Sequence, residues 1–291
     1  MDSIGEATLG LVGPGRAGRA FARSWRGAGG RLAWVVSRNP GRSEDLGAEA
    51  IHRMDDARTL TCDLAVLSVP DDAIRAVAES LAGRLECRFV FHLSGAIGSE
   101  ALEPFSRRGA RVASVHPVRP FTGGSDEDWS GAFVAVEGDP EGATFAERVA
   151  MALGARPYRL LATNRGLYHA AATLAAGGTA ALVSLATKGW VAAGIPEDVA
   201  REALGRLASR AAAAAAERPF AGAFTGAIAR RDAGTVRGHV AALARHPEAL
   251  ALYLTLAEEM LERTAGTGRE DEIRAILRAA ASEVRTRASG S

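Results

Sequence analysis

Tyr168 and His169 stand side by side at the head of "LYHAAATLAAGGTAAL" (167–182), an otherwise apolar stretch. An imidazole titrates near neutrality and a phenol donates a hydrogen bond, so the pair suits acid work on a polar double bond. At helical spacing Ala172, Thr173, Ala176 and Gly177 fall on the side of His169, at i+3, i+4, i+7 and i+8. That small face admits a ligand or a second helix at short range. Two adjacent glycines each cost a helix interior about 1 kcal/mol, and close approach is the natural compensation. A helix–helix packing face in a dimer, with His169 structural, is the competing reading.

A second set of residues has the spacing of a phosphate cradle. "LGLVGPGRAGRAFA" contains Gly13-Pro14-Gly15-Arg16-Ala17-Gly18, a GxGxxG run that follows a strand pattern and opens a helix pattern. Gly13 permits the tight turn, Gly15 lets backbone approach a pyrophosphate, and Gly18 allows close helix–strand packing. The helix N-terminus adds free N–H groups and a positive dipole. Arg16 either adds charge to the phosphate or points to solvent.

At the end of the next strand pattern, NAD sites carry an acid for the ribose hydroxyls. Here "VVSRNPGR" offers Ser37, Arg38 and, a turn later, Arg42, with no acid before Glu44. A hydroxyl and guanidinium forks suit a 2′-phosphate, which points to NADP(H). The alternative is that these arginines are exposed loop residues. In "LSVPDDAI" (67–74), Ser68, Val69 and Pro70 are expected to line the cofactor, with Asp71 and Asp72 as N-cap and first-turn acids of the following helix. Ser94-Gly95 and His116-Pro117 each follow a strand pattern and could face nicotinamide or substrate. His92, inside its strand, reads as a satisfied core histidine, and His116 as either a loop buttress or a substrate contact.

The elements that must position these groups alternate through the first half. Apolar runs at 8–13, 31–36, 63–69, 88–94, 111–116 and 132–138, with a last strand at 155–162, flank helix patterns. Continuous apolar runs signal burial on both faces, hence a doubly wound, mostly parallel sheet of the Rossmann type. After Asn164 only helix patterns follow, punctuated at 192–198, 217–222 and 244–249. The reading is α/β followed by all-α: a nucleotide domain over 1–162 and an all-helical substrate and dimerisation domain over 163–291.

With 35 basic and 34 acidic residues and a formal charge of +1, the chain gives no electrostatic case for nucleic acid. Cys62 and Cys87 form no CxxC, and no histidines lie at metal-ligand spacing, so neither a metal centre nor a disulfide framework is expected. A reducing cytoplasm is the expected location, and the N-terminus lacks the basic region of a signal peptide. The uncharged run 170–187 has the length of a span but only four large aliphatics, so a soluble helix is expected.

"GPGRAGRAFA", "LSVPDDAI", "HLSGA", "SVHPVRPF", "YHAAA" and "AFTGAIARRDAGTVRGHVAAL" (223–243) together resemble a bacterial family that joins a Rossmann-like domain to a C-terminal domain of unknown function, number 2520. More distantly the chain is similar to pyrroline-5-carboxylate reductase, prephenate dehydrogenase, ketopantoate reductase and 3-hydroxyisobutyrate dehydrogenase. The resemblance implies a nicotinamide-dependent oxidoreductase, a homodimer joined through the helical domain, and a site in the cleft between domains. It puts the family's Tyr-His pair on Tyr168 and His169, its His-Pro on His116 and Pro117, and its Thr-Gly segment on Thr225 and Gly226. It also implies an Asn eight residues beyond the histidine, where this chain has Gly177. The related dehydrogenases often use a helix Lys. The nearest upstream cation here is Arg165, which can orient an anion but hardly lose a proton.

The expected activity is therefore NADP(H)-dependent reduction of a small carbonyl or imine. His169 and Tyr168 would be catalytic, with Ser94, Gly95, His116, Pro117, Arg165 and Thr225 contacting substrate. A non-catalytic NADP(H)-binding sensor or regulatory protein is the alternative.

Overall fold

Period-two alternation with apolar residues at both phases builds the sheet. In the computed structural model, which describes residues 4–56, 58–124, 127–264 and 270–289, the strands are β1 (Thr8–Val12), β2 (Arg31–Val36), β3 (Ala50–His52), β4 (Leu60–Leu67), β5 (Leu85–His92), β6 (Arg111–Pro117), β7 (Phe133–Gly138) and β8 (Arg156–Arg159). They form one eight-stranded sheet in the order β3-β2-β1-β4-β5-β6-β7-β8. Leu9, Leu11, Leu64, Val66, Phe89 and Phe91 bury on one face, and Val12, Ala65, Leu67 and Val90 on the other. Covered faces on both sides explain the continuous apolar runs. β3 is three residues long, too short to carry a period-two signal.

All pairings are parallel except β6 with β7. A parallel neighbour needs a crossover helix, whereas the described residues between β6 and β7 hold none. One face is covered by α1 (Arg16–Gly27), through Phe21 and Trp25, and by α4 (Pro140–Ala152), through Phe145 and Val149. The other carries α2 (Ile74–Leu81) and the short α3 (Glu103–Ser106).

The chain divides into two compact units, Met1–Leu174 and Ala175–Ser291. The first extends beyond residue 162 because α5 (Arg165–Thr173) docks on the sheet through buried Arg165. A π-helical turn at Leu174–Gly178 follows α5. Helical spacing counted from His169 therefore does not carry through to Ala176 and Gly177, which corrects that expectation. π turns are rare and hold more residues per turn than α-helix. Gly177 is exposed, and a Cβ built on it would meet nothing within 4 Å in this chain.

The second unit holds α6 (Thr179–Ala192), α7 (Glu197–Glu217), α8 (Phe220–Ala223), α9 (Ala233–Leu243), α10 (Pro247–Arg263) and α11 (Glu270–Ser289). Val236, Leu250, Leu254, Leu261, Ile273 and Leu277 form the core of the last three. Arg231, buried at positive φ (59°), bonds the Ile228 and Ala229 carbonyls, Thr264 and Glu270, tying the α9 entry to the α10 end. The helical run 162–192 is long and apolar enough, by length and composition, to cross a membrane, and only 6% of its most apolar window is buried inside this chain.

Candidate active site

The strand order reverses at β1, which lies between β2 and β4. In open α/β sheets, ligands bind at the carboxyl ends of the strands beside such a reversal. Gly13 leaves β1 there with φ of 81°, and a Cβ on it would stand 2.6 Å from the Ser68 carbonyl oxygen. A Cβ on Gly18 would lie 2.8 Å from Ser68 Cβ and 2.9 Å from the Gly13 carbonyl oxygen. Gly15 differs: its nearest neighbour would be 3.9 Å away, so its backbone faces open space. It is the extended N-cap of α1 without a side-chain cap, and no acid stands in the first turn. The amides of Arg16, Ala17 and Gly18 have no intrahelical acceptors, as at any helix start. Pro14 completes the turn. Arg16 is exposed, its stem beside Gly123.

Past β2, Ser37 is buried; its N–H donates to the His52 carbonyl and its Oγ accepts from Asn39 N–H at 3.1 Å. Arg38 is exposed, and the side chain of Arg42 lies outside the described residues. Past β4, Ser68 donates its N–H to the Val12 carbonyl, and Val69 abuts Gly13. Pro70, not an aspartate, occupies the N-cap of the short turn Asp71–Ala73 that leads into α2, and no side chain caps it. Asp71 and Asp72 are first-turn acids; the N-cap expectation is corrected, because Pro70's extended backbone already sets the turn.

A second group of side chains sits at the same sheet edge, on the ends of β5 and β6 and the start of α5. Tyr168 Oη lies 2.6 Å from His116 Nδ1, and the His116 and His169 rings meet edge to face at 5.9 Å between centroids. Both imidazoles border Gly95. A Cβ there would be 2.8 Å from His116 Nε2 and 2.7 Å from His169 Nδ1, which demands glycine. His169 Nδ1 is buried and has no hydrogen-bond partner among the described residues. Burial first, then the nearby His169 and Arg165, push His116 down to about 4, with Asp71 opposing. Burial, then the neighbouring Tyr158 hydroxyl, raise Tyr168 above the usual phenol range.

The remaining residues hold this group in place. His92 is fully buried: its Nε2 bonds the Gly98 carbonyl and its Nδ1 accepts from Ser94 N–H, a satisfied core histidine. Ser94 Oγ accepts from the amides of Ala96 and Ile97, shaping the turn that presents Gly95. Pro117 is buried, opposite Val134 of β7. Arg165 is 7% exposed. Its guanidinium pairs with Glu137 at 2.9 Å and donates to the Gly95 carbonyl at 3.3 Å. Glu137 in turn accepts from Ser99 N–H and Oγ. Arg165 therefore braces α5 on the sheet, with its charge already answered. Thr225 belongs to the second unit, exposed in coil after α8.

Two participants were missed. Glu137 is the lone charge in the apolar run "FVAVEG" (133–138), a signal that could have found it. Tyr158, 6.4 Å from Tyr168 between ring centroids, has no such signal in "ARPYRLLA".

Residues 4–117 match the Rossmann-like domain, and residues 132–260 match the domain of unknown function DUF2520. No curated protein matches the chain. BF3122 from Bacteroides fragilis, provisionally assigned as an NADP oxidoreductase, shares the fold with TM-score 0.69 and 22% identity, over 90% of this chain and 100% of its own. A pyrroline-5-carboxylate reductase from Coxiella burnetii follows at TM-score 0.57 and 16% identity, over 96% and 98%. The Plasmodium falciparum pyrroline carboxylate reductase, solved with NADP bound, gives 0.58 and 10%, over 94% and 99%. The chain thus joins a Rossmann-like domain to a DUF2520 domain, the pairing its motifs resemble.

Proposed function

We propose that the protein is an NADP(H)-dependent oxidoreductase that reduces a small carbonyl or imine. One observation carries this reading: an open, uncapped glycine turn at the strand-order reversal shares a sheet edge with an imidazole–phenol cluster. The NADP oxidoreductases among the similar folds support it. Gly13, Gly15, Gly18 and the first-turn amides of α1 would hold the pyrophosphate, and Ser37 and Arg38 the 2′-phosphate end. When bound, the dinucleotide supplies hydride chemistry. The chain's own contribution is orientation and polarisation: His169 faces the heteroatom, with Tyr168 behind it on His116, and Gly95 leaves room beside both rings.

We assign the second unit to self-association as a homodimer. Leu182, Val191, Val199 and Leu207 on α6 and α7 are exposed large aliphatics, and a second copy would cover them. Free Cys62 and Cys87 suit a reducing compartment such as the cytoplasm.

Calorimetric titration tests the cofactor. NADPH should bind more tightly than NADH, and Gly15→Val should weaken NADPH binding at least tenfold while leaving the thermal midpoint unchanged. Unchanged binding in that variant removes the assignment. The sensor reading is favoured by Gly177, which offers no side chain where the resemblance implies an amide. NADPH binding without NADPH oxidation across a panel of imines and 2-keto acids would select the sensor. Full turnover by His169→Ala on a substrate from that panel would remove the catalytic histidine.

A further inference from the structure

We infer that Tyr168 and His116 are positioning residues that hold His169 with its proton on Nε2. The cluster then meets its substrate as a neutral N–H donor and takes a carbonyl rather than a protonated imine. Only the substrate clause rests on the oxidoreductase reading.

The chain of reasoning starts at Tyr168. Its phenol keeps its proton, and the Tyr158 ring stands 6.4 Å away between centroids. Donated to His116 Nδ1, 2.6 Å away, its single proton satisfies that nitrogen's lone pair. His116 is neutral down to about pH 4, so an imidazole that accepts at Nδ1 must carry its own proton on Nε2. That Nε2–H and the Nδ1 of His169 border the same bare Cα, of Gly95. A lone pair on His169 Nδ1 faces the N–H dipole favourably. A proton there would oppose it and leave a buried donor unpaired. The proton of His169 therefore sits on Nε2.

This arrangement selects the substrate. An N–H donor pairs with the lone pair of a carbonyl oxygen, whereas a protonated imine has none to offer. Arg165 already brings a cation near His116, and Glu137 is committed to Arg165 and Ser99. Asp71 pulls the other way, from the turn ahead of α2. Bound NADPH would supply hydride to the carbonyl carbon, and the Nε2 proton of His169 would go to the resulting alkoxide. The product is an alcohol, and one solvent proton taken up at His169 Nε2 restores the neutral resting tautomer.

Long-range 1H–15N correlation of 15N-histidine-labelled protein, without cofactor, reads the tautomers directly. His116→Gln and His169→Gln assign the two signals among six histidines. Both rings should be Nε2–H at neutral pH. Tyr168→Phe should move at least a third of His116 to the Nδ1–H form, and Gly95→Ala should shift His169 likewise. A wild-type His169 protonated at Nδ1, or a His116 tautomer indifferent to Tyr168→Phe, overturns the lock. With saturating NADPH, pyruvate should be reduced at least tenfold faster than 1-pyrroline. Equal rates, a faster imine, or oxidation by neither probe overturns the carbonyl clause. Failure of NADPH to bind would defeat the oxidoreductase reading while leaving the ring states measurable.

Discussion

The sheet unit finishes its own core, whereas the helical unit leaves part of its surface unfinished. Leu9, Leu11, Leu64, Leu67 and Phe91 are fully buried between helices of the same unit. By contrast, α6 and α7 bury few side chains, among them Thr187, Ala200 and Leu204, while Leu207 is 62% and Val199 51% exposed. A parallel sheet must be covered on both faces by its own crossovers, so burial is built into the topology. A long Ala-rich helix pair can form on propensity and one seam alone, which leaves its outer face exposed.

Core truncation should separate the two regions most sharply. Leu11→Ala should cost about 2–5 kcal/mol of unfolding free energy in denaturant titration. Leu207→Ala should cost under about 0.5 kcal/mol at low protein concentration yet weaken self-association in sedimentation. Equal losses would break the contrast.

A smaller effect belongs to the imidazole cluster of the sheet unit. Folded His116 titrates near 4, against the usual 6.5. Between those values the unfolded chain binds more protons, so stability is full above about pH 6.5 and falls as pH drops towards about 4. The loss amounts to roughly 3 kcal/mol, and His116→Gln should flatten the slope measured by denaturation across that window. An unchanged slope would show that the cluster is not linked to folding of the sheet.

The smallest effect tests the open edge. Arg38→Ala should weaken NADPH binding by roughly 10–100-fold, the worth of a hydrogen bond to a charged group, and leave NADH binding unchanged. A loss shared equally by both cofactors would remove Arg38 from the 2′-phosphate.

Much of this was legible from residue order. The apolar runs located every strand except the three-residue β3, because burial on both faces leaves a continuous signal. The Gly13–Gly18 turn was legible because Gly13 and Gly18 answer local steric demands. Less legible was Arg165, which looked available to a substrate anion. Its partner Glu137 lies 28 residues earlier in the chain, and only sheet pairing brings them together. Likewise Ser94 looked like a substrate contact, but its hydroxyl bonds two amides of its own turn.

By itself, then, the sequence determined the alternation of strands and helices, the glycine turn, and the residue types able to handle protons. These follow from local sterics and from periodicity, which act over a few residues. Tertiary structure alone decided which of those groups meet. It set Tyr168 on His116, placed both imidazoles against Gly95, gave Arg165 to Glu137, and inserted the π turn after α5. Those outcomes depend on strand order and on helix docking, where the desolvation of a charge or a ring nitrogen is balanced by partners distant in sequence.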